Sequence, residues 1–490
     1  MNIKQAKQEI KDTIQAYLKK NEYGDYTIPY IRQRPVLLIG PPGIGKTQIM
    51  EQIARECRIG LVSYTITHHT RQSAIGLPLI EKRTFGGHSY AVTEYTMSEI
   101  VAAVYGQMEK TGLHEGILFI DEINCVSETL APMMLQFLQY KSFGSHKIPE
   151  GWVIAAAGNP PEYNKSVREF DVVTLDRLRM ISVEPDRDVW NEYADQAGVH
   201  PAIRSYLQLK PQYFFRIETT VDGKLFATPR GWEDLSELLA VYESLEKKVT
   251  GDVVMEYIQF PKIAKDFANY LELHTKYQSE YQPEEILSGM IRPAVIDRLS
   301  RASFDERISA VGLISAALNN HFRAVWEQAQ VMELVQKELK TFHESAEASF
   351  AGFVYLFQQE QERSREKGLF SRGQFYLIRR ALQYLNKYKE LAGDKSDGDW
   401  ERLKELFSED SDSYEELAAL TGKKLESAFD FMERVFADSQ ELVIFLTTLN
   451  NGFYSVWFLA EYSCKRYYEY NKILQFDELE KDNMERGRWT

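Results

Sequence analysis

Residues 35–53 read PVLLIGPPGIGKTQIMEQI, and this stretch decides the fold. Val36, Leu37, Leu38 and Ile39 form an apolar run of strand length, and Ile49, Met50 and Ile53 then recur at helical spacing. Between them Gly40, Pro41, Pro42, Gly43, Ile44, Gly45, Lys46 and Thr47 fit the phosphate-loop pattern of a Gly, four residues, then Gly-Lys-Ser/Thr. Strand, glycine-rich turn and helix come in the order that a nucleotide phosphate needs. Backbone N–H groups and the positive end of the helix dipole meet the anion, and glycine leaves its approach open. The expected ATP-binding set runs from Gly40 through Gln48, with Lys46 reaching the β- and γ-phosphates and Thr47 holding Mg2+.

Downstream, residues 116–124 read GILFIDEIN, an apolar strand that ends in two carboxylates. Asp121 and Glu122 could simply cap a following helix. After a phosphate loop, however, this is the Walker B arrangement, in which Asp121 holds the Mg2+ hydration shell and Glu122 polarises the attacking water. A further buried strand at 152–157 ends in Gly158-Asn159-Pro160. Asn159 would then lie beside the two carboxylates, where its amide could orient the water. Asp176-Arg177-Leu178-Arg179 precede a β-like segment at 180–183.

The rest of the chain frames these motifs. Ile3, Ala6, Ile10, Ile14, Tyr17 and Leu18 predict an opening amphipathic helix, and 60–66 predicts a second core strand. His68 and His69 lack a third ligand at metal spacing and read as loop residues. Residues 78–95 predict a hairpin about Gly86-Gly87, 97–110 a helix, 131–138 a short helix and 140–150 a second small hairpin around Phe143-Gly144. From 186 to about 318 the pattern reads as helical, with Thr228-Pro229-Arg230 opening a helix over 232–245. Helical stripes continue to the end, interrupted by two acidic connectors expected at 393–399 and 408–413.

Composition bounds the function. A chain of 490 residues allows roughly three domains, and 44% hydrophobic with 27% charged residues is ordinary globular usage. The net charge of −14 argues against holding nucleic acid by phosphate neutralisation, so a protein or peptide partner is expected. Lys465-Arg466-Tyr467-Tyr468 read as a half-solvated helix face. Three separated cysteines, Cys57, Cys125 and Cys464, exclude a disulfide framework or a zinc signature and suit a reducing compartment. The charged N-terminus lacks the apolar core of a secretory signal. The most apolar stretch, 442–460, is broken by Asn450-Asn451-Gly452 and predicts two buried helices rather than a membrane span.

With these residues in place, the first 320 or so positions resemble the AAA+ ATPases, specifically their MoxR-type branch. The motifs are GPPGIGKT at 40–47, LFIDEIN at 118–124, AAAGNPPEY at 155–163, LDRLR at 175–179 and TPRGWEDLS at 228–236. The resemblance implies an α/β core of three layers around a parallel sheet (1–186, with an N-terminal helix at 1–20). It further implies a helical lid (187–320). Beyond about residue 320 the resemblance gives out, and the all-α region there (321–490) is expected to bind a partner or client. It implies that Asn159 is sensor 1, Arg230 the sensor 2 arginine reaching the γ-phosphate, and Arg177 an arginine finger acting on the neighbouring subunit. The family often shows Asp-Arg-Phe where this chain has Asp176-Arg177-Leu178-Arg179, so Arg179 competes for the finger role. The hairpins at 78–95 and 140–150 look like that branch's helix 2 and pre-sensor 1 inserts.

The reading is a cytoplasmic ATPase that assembles as a homo-oligomeric ring, a hexamer, and remodels or matures a protein client in a chaperone-like way. A von Willebrand factor A domain protein is the implied partner. The rivals are a slow nucleotide-gated binding scaffold and a DNA-linked motor. Client-stimulated turnover separates the first reading from the scaffold, and DNA-stimulated turnover points to the motor.

Overall fold

A computed structural model describes residues 1–68, 72, 74, 76–143, 145–163, 167, 170–221, 223–345, 349–392, 399–437 and 439–472. The chain divides into two compact units. The first comprises Met1–Val189 with Thr228–Arg230 and Ser364–Ser371; the second comprises Trp190–Ala227, Gly231–Arg363 and the chain from Arg372 onward.

The first unit is α/β. It opens with α1 (Ile3–Leu18), started by a capping box in which Asn2 and Gln5 exchange side-chain and backbone hydrogen bonds. Then follow β1 (Val36–Ile39), α2 (Lys46–Cys57), β2 (Gly60–Thr65), β3 (Pro78–Phe85), β4 (His88–Tyr95), α3 (Glu99–Thr111) and β5 (Gly116–Asp121). The unit continues with α4 (Ala131–Tyr140), β6 (Ser142–Phe143), β7 (His146–Lys147), β8 (Trp152–Gly158), the single turn α5 (Val172–Leu175) and β9 (Arg179–Ser182). Five strands form one parallel sheet in the order β2-β5-β8-β1-β9. Strands covered on both faces read as continuous apolar runs, and β8 is buried along its whole length. Gly60 and Gly116 start β2 and β5 because the Trp152 ring lies against both; a Cβ would meet it at 3.0 and 2.7 Å.

The β1–α2, β5–α4 and β8–α5 connections all leave the carboxyl edge of this sheet, so the sequence motifs gather there. The β3–β4 hairpin forms where expected. Gly86 and Gly87 both take positive φ (58° and 86°), as a two-residue hairpin turn of the I′ kind requires. The smaller expected hairpin is β6–β7; Gly144 at its turn and His69 both lie outside the described residues.

The second unit is mainly helical: α6 (Arg187–Ala197), which begins in the first unit, α7 (Pro201–Leu209), β10 (Arg216–Thr220), β11 (Gly223–Ala227), α8 (Pro229–Ser244), whose first two residues also belong to the first unit, α9 (Gly251–Tyr257), α10 (Pro261–Tyr281), α11 (Pro283–Leu287) and α12 (Pro293–Arg301). It goes on with α13 (Phe304–Glu344), α14 (Phe350–Glu366), whose last three residues belong to the first unit, α15 (Arg372–Ala392), α16 (Asp399–Phe436), α17 (Gln440–Asn451) and α18 (Phe453–Glu461). One core gathers Tyr206, Trp232 and Phe267 from α7, α8 and α10. A second joins Phe322 of α13 to Phe429 of α16 and Phe458 of α18, and a third joins the far half of α13 to α14, α15 and the start of α16.

Three expectations need correction. The 186–318 segment is not wholly helical, since β10 and β11 pair as an antiparallel hairpin. The acidic run at 408–413 is not a connector but lies inside α16, where the polar residues fall between the inward-facing Leu403, Leu406 and Ala418. The connector expected at 393–399 has residues 393–398 outside the description. A partition at 320 also fails, because the 41-residue α13 runs through it and Leu318 and Phe322 share one core. At the other end, α17 and α18 meet at Gly452 with a bend of 83°, and Phe445, Leu449 and Phe458 are buried. Among the described residues no single helix is long and apolar enough to cross a membrane. Past α18, Tyr467 is buried and Arg466 pairs with Asp430 while Tyr468 is half exposed, which makes this the half-solvated helix face expected.

Candidate active site

The loop from β1 to α2 is shaped by its glycines. Gly43 and Gly45 sit at φ 75° and 92°, and Gly45 is the left-handed N-cap of α2. A Cβ on Gly43 would lie 3.2 Å from Thr228 Cβ and 3.3 Å from Arg230 Cβ, and one on Gly40 would lie 2.6 Å from Val183 O. The loop is therefore packed against β9's exit on one side and the start of α8 on the other. The Arg230 N–H donates to Gly43 O at 3.2 Å, which fixes the Arg230 backbone on the loop. Ile44 is buried, Gln48 is exposed at the first turn of α2, and Pro41 supplies a carbonyl to the lysine.

Lys46 is only 8% exposed. Its Nζ donates to Gly40 O (2.8 Å), Pro41 O (2.7 Å) and Asn159 Oδ1 (3.0 Å). Burial pushes the Lys46 ammonium down to about 8; Asp121 and Glu122 oppose that shift and Arg230 adds to it. A charged amine held by neutral oxygens and short of a counter-charge is ready for an anion.

At the carboxyl end of β5, Asp121 Oδ2 accepts from Thr47 Oγ1 of α2 at 2.8 Å, and Asp121 Oδ1 accepts from the Glu122 N–H at 2.9 Å. A hydroxyl and a carboxylate so placed are hard oxygen donors that fit Mg2+, which commonly takes one or two carboxylates together with substrate phosphates. Glu122 itself adopts φ 57°, ψ 34°, the left-handed region that a non-glycine residue enters at a cost and that recurs at active sites.

The structure thus brings Lys46, Thr47, Asp121, Glu122, Asn159 and Arg230 into one neighbourhood. The two candidate fingers part company. Arg179 is bound to Glu9 and Thr13 of α1 in its own chain. Arg177 is exposed, bonded to Gln139, and flanked by the exposed apolar side chains of Val172, Val173 and Met180. Sequence reasoning gave no role to Asn124, whose Nδ2 donates to Asn159 O at 2.8 Å. The signal was an amide two residues beyond a pair of carboxylates, on a turn too apolar to face water.

The family model described as "ATPase family associated with various cellular activities (AAA)" matches residues 36–175, the segment from the first residue of β1 to the last of α5. Those residues form an AAA+ nucleotide-binding domain of the P-loop type. In structure the chain is similar to a mutant of RuvB from Thermotoga maritima, over 53% of this chain and 69% of that one, at 15% identity and a TM-score of 0.29. No curated protein matches the chain.

Proposed function

We propose that this chain hydrolyses ATP as a ring-forming, MoxR-type AAA+ ATPase and uses the energy to remodel or mature a protein client. One observation carries the reading. Thr47 and Asp121 pair at 2.8 Å, and a second carboxylate, Glu122, follows on the same strand end. Mg2+ held by that pair would neutralise charge on the transferring phosphoryl group. Lys46 gives up its carbonyl partners to bind the β- and γ-phosphates. Glu122 takes the proton of the attacking water, Asn159 orients that water, and Arg230 reaches the γ-phosphate from the lid.

Ring assembly is supported by Arg177. An exposed guanidinium among exposed apolar side chains, with its rival Arg179 tied to α1, suits an interface where it completes the next subunit's site. The hexamer and a von Willebrand factor A domain partner rest on the MoxR resemblance; the cytoplasmic setting rests on the three separated cysteines, and client capture is assigned to the helices beyond residue 320, where that resemblance gives out.

Glu122→Gln tests the chemistry. The variant is expected to bind ATP with unchanged affinity in a direct titration while phosphate release falls by ~10²- to 10⁴-fold. Equal loss of binding would make Glu122 a structural residue.

A further inference from the structure

We propose that Asn124 is a positioning residue for hydrolysis that acts through Asn159; the proposal rests on the hydrolytic reading above. Asn124 lies on the short turn Ile123–Cys125 that follows β5 and is 4% exposed. Its Nδ2 donates to Asn159 O at 2.8 Å, while its Oδ1 is buried and has no hydrogen-bond partner among the described residues. The opposite amide orientation would set two acceptor oxygens against each other at that distance, so the donor assignment follows from the geometry.

An unpartnered buried oxygen destabilises the fold, and an apolar side chain of the same size would avoid that loss. The amide must therefore do something that an apolar group could not. What it does is clasp the ends of two strands. Gly158 closes β8, and a Cβ there would sit 2.5 Å from Asn124 Oδ1 and 2.7 Å from its Cγ. The strand ends in glycine where the Asn124 amide lies against it. The next residue is Asn159, whose own Oδ1 accepts from Lys46 Nζ. A chain of contacts thus runs from Asn124 through the Asn159 backbone to the Asn159 amide and the phosphate-loop lysine. Asn124 acts at one remove: it fixes the Cα from which Asn159 must aim.

The test uses the full chain and measures ATP affinity and steady-state turnover for wild type, Asn124→Ala, Asn159→Ala and the double variant. Asn124→Ala is expected to lose up to about 10²-fold in kcat, the scale of an ångström-level misplacement, with ATP affinity unchanged. The double variant should be no slower than Asn159→Ala alone, because the two residues act in series. Asn124→Asp, which keeps the shape and loses the donor, and Gly158→Ala, which displaces the amide, should show the same split between kcat and affinity. They also keep the test open if Asn124→Ala does not fold. Losses that multiply in the double variant, or a normal kcat in Asn124→Asp, overturn the proposal. A parallel fall in affinity and kcat would make Asn124 merely structural. A wild-type chain that binds ATP without turnover is a different failure: it removes the hydrolytic reading and this proposal with it.

Discussion

Lys46 in the first unit and Asp195 in the second are both almost completely buried, and each makes three hydrogen bonds. Lys46 is held by two carbonyls of its own loop and one amide oxygen, all neutral. Asp195 accepts from Arg204 (2.6 Å), Asn319 (2.8 Å) and the Phe453 N–H (2.7 Å), which belong to three different helices and include a full counter-charge. The difference separates a site from a brace. A buried charge with its counter-ion already in place locks helices together and has nothing left to bind. A buried charge given only dipoles is held in position with its strongest possible partner still missing. The parallel sheet explains where each occurs. Strands deliver side chains to one shared edge beside the phosphate loop, whereas crossing helices share no such edge, and their buried polar groups become cross-ties.

On the ring reading proposed above, the largest part the first unit lacks is cationic and would come from a second copy. Arg177→Ala should lower ATP turnover by ~10³- to 10⁵-fold, the usual worth of an arginine finger, while each subunit still binds ATP. Mixing Arg177→Ala subunits with Glu122→Gln subunits sharpens the comparison, because some interfaces then pair an intact Glu122 with an intact neighbouring Arg177. Turnover should reappear on mixing. Its absence in rings shown to be mixed would move the finger elsewhere, and the bonds from Arg179 to Glu9 and Thr13 make that residue the less promising substitute.

The second unit has its own buried base. His274, on α10, is 4% exposed, with no hydrogen-bond partner at Nε2 among the described residues. Burial pushes it down to about 4; His200 adds to the shift and Glu243, which lies 3.0 Å from His200, opposes it. The folded value lies below the ordinary one of about 6.5, so stability is complete above that pH and is lost as pH falls from 6.5 towards 4. The full effect is roughly 3 kcal/mol. Helical melting followed across this range should show it, and His274→Phe should flatten the acid limb. An unchanged acid limb in that variant would remove His274 as the cause.

The same contrast explains what the sequence could tell. The site was legible because its parts are local: a phosphate loop lies within eight residues, and a doubly covered strand reads as an apolar run whose last residues must reach the edge. The β3–β4 turn was legible because Gly86-Gly87 meets a backbone need. Most of the misses were non-local. Residues 408–413 look like a linker until Leu403, Leu406 and Ala418 are seen packing inward around them and Lys387 of α15 pairs with Asp410 at 2.8 Å. The five-residue strands β10 and β11 carry too little alternation to stand out from helical neighbours. The continuity of α13 past residue 320 depends on partners more than a hundred residues away, among them Phe458 against Phe322 at 4.7 Å. The amide of Asn124 could be noticed beside the carboxylates, but its partner could not, since Asn159 is 35 residues distant.

The smallest expected effect is also the one that bears most directly on Lys46. Its folded value of about 8 lies below the ordinary one of 10.5, so the free fold disfavours the charged form, and Lys46's contribution to stability rises with pH between those two values. Nucleotide binding has the opposite demand, because phosphate needs the ammonium. Above pH 8 the site must take up a proton to bind, and ATP affinity should fall by about tenfold per pH unit. The unliganded first unit should therefore gain stability from this lysine over the range in which it loses affinity, a crossing that general alkaline damage cannot produce. Affinity and melting measured together from about pH 7 to about 9.5 read both limbs, and Lys46→Arg, whose guanidinium stays charged, should flatten the binding limb. Affinity that is level across this range, or that falls in step with the melting temperature, would mean that Lys46 is not a base awaiting an anion, and the contrast with Asp195 would lose its functional side.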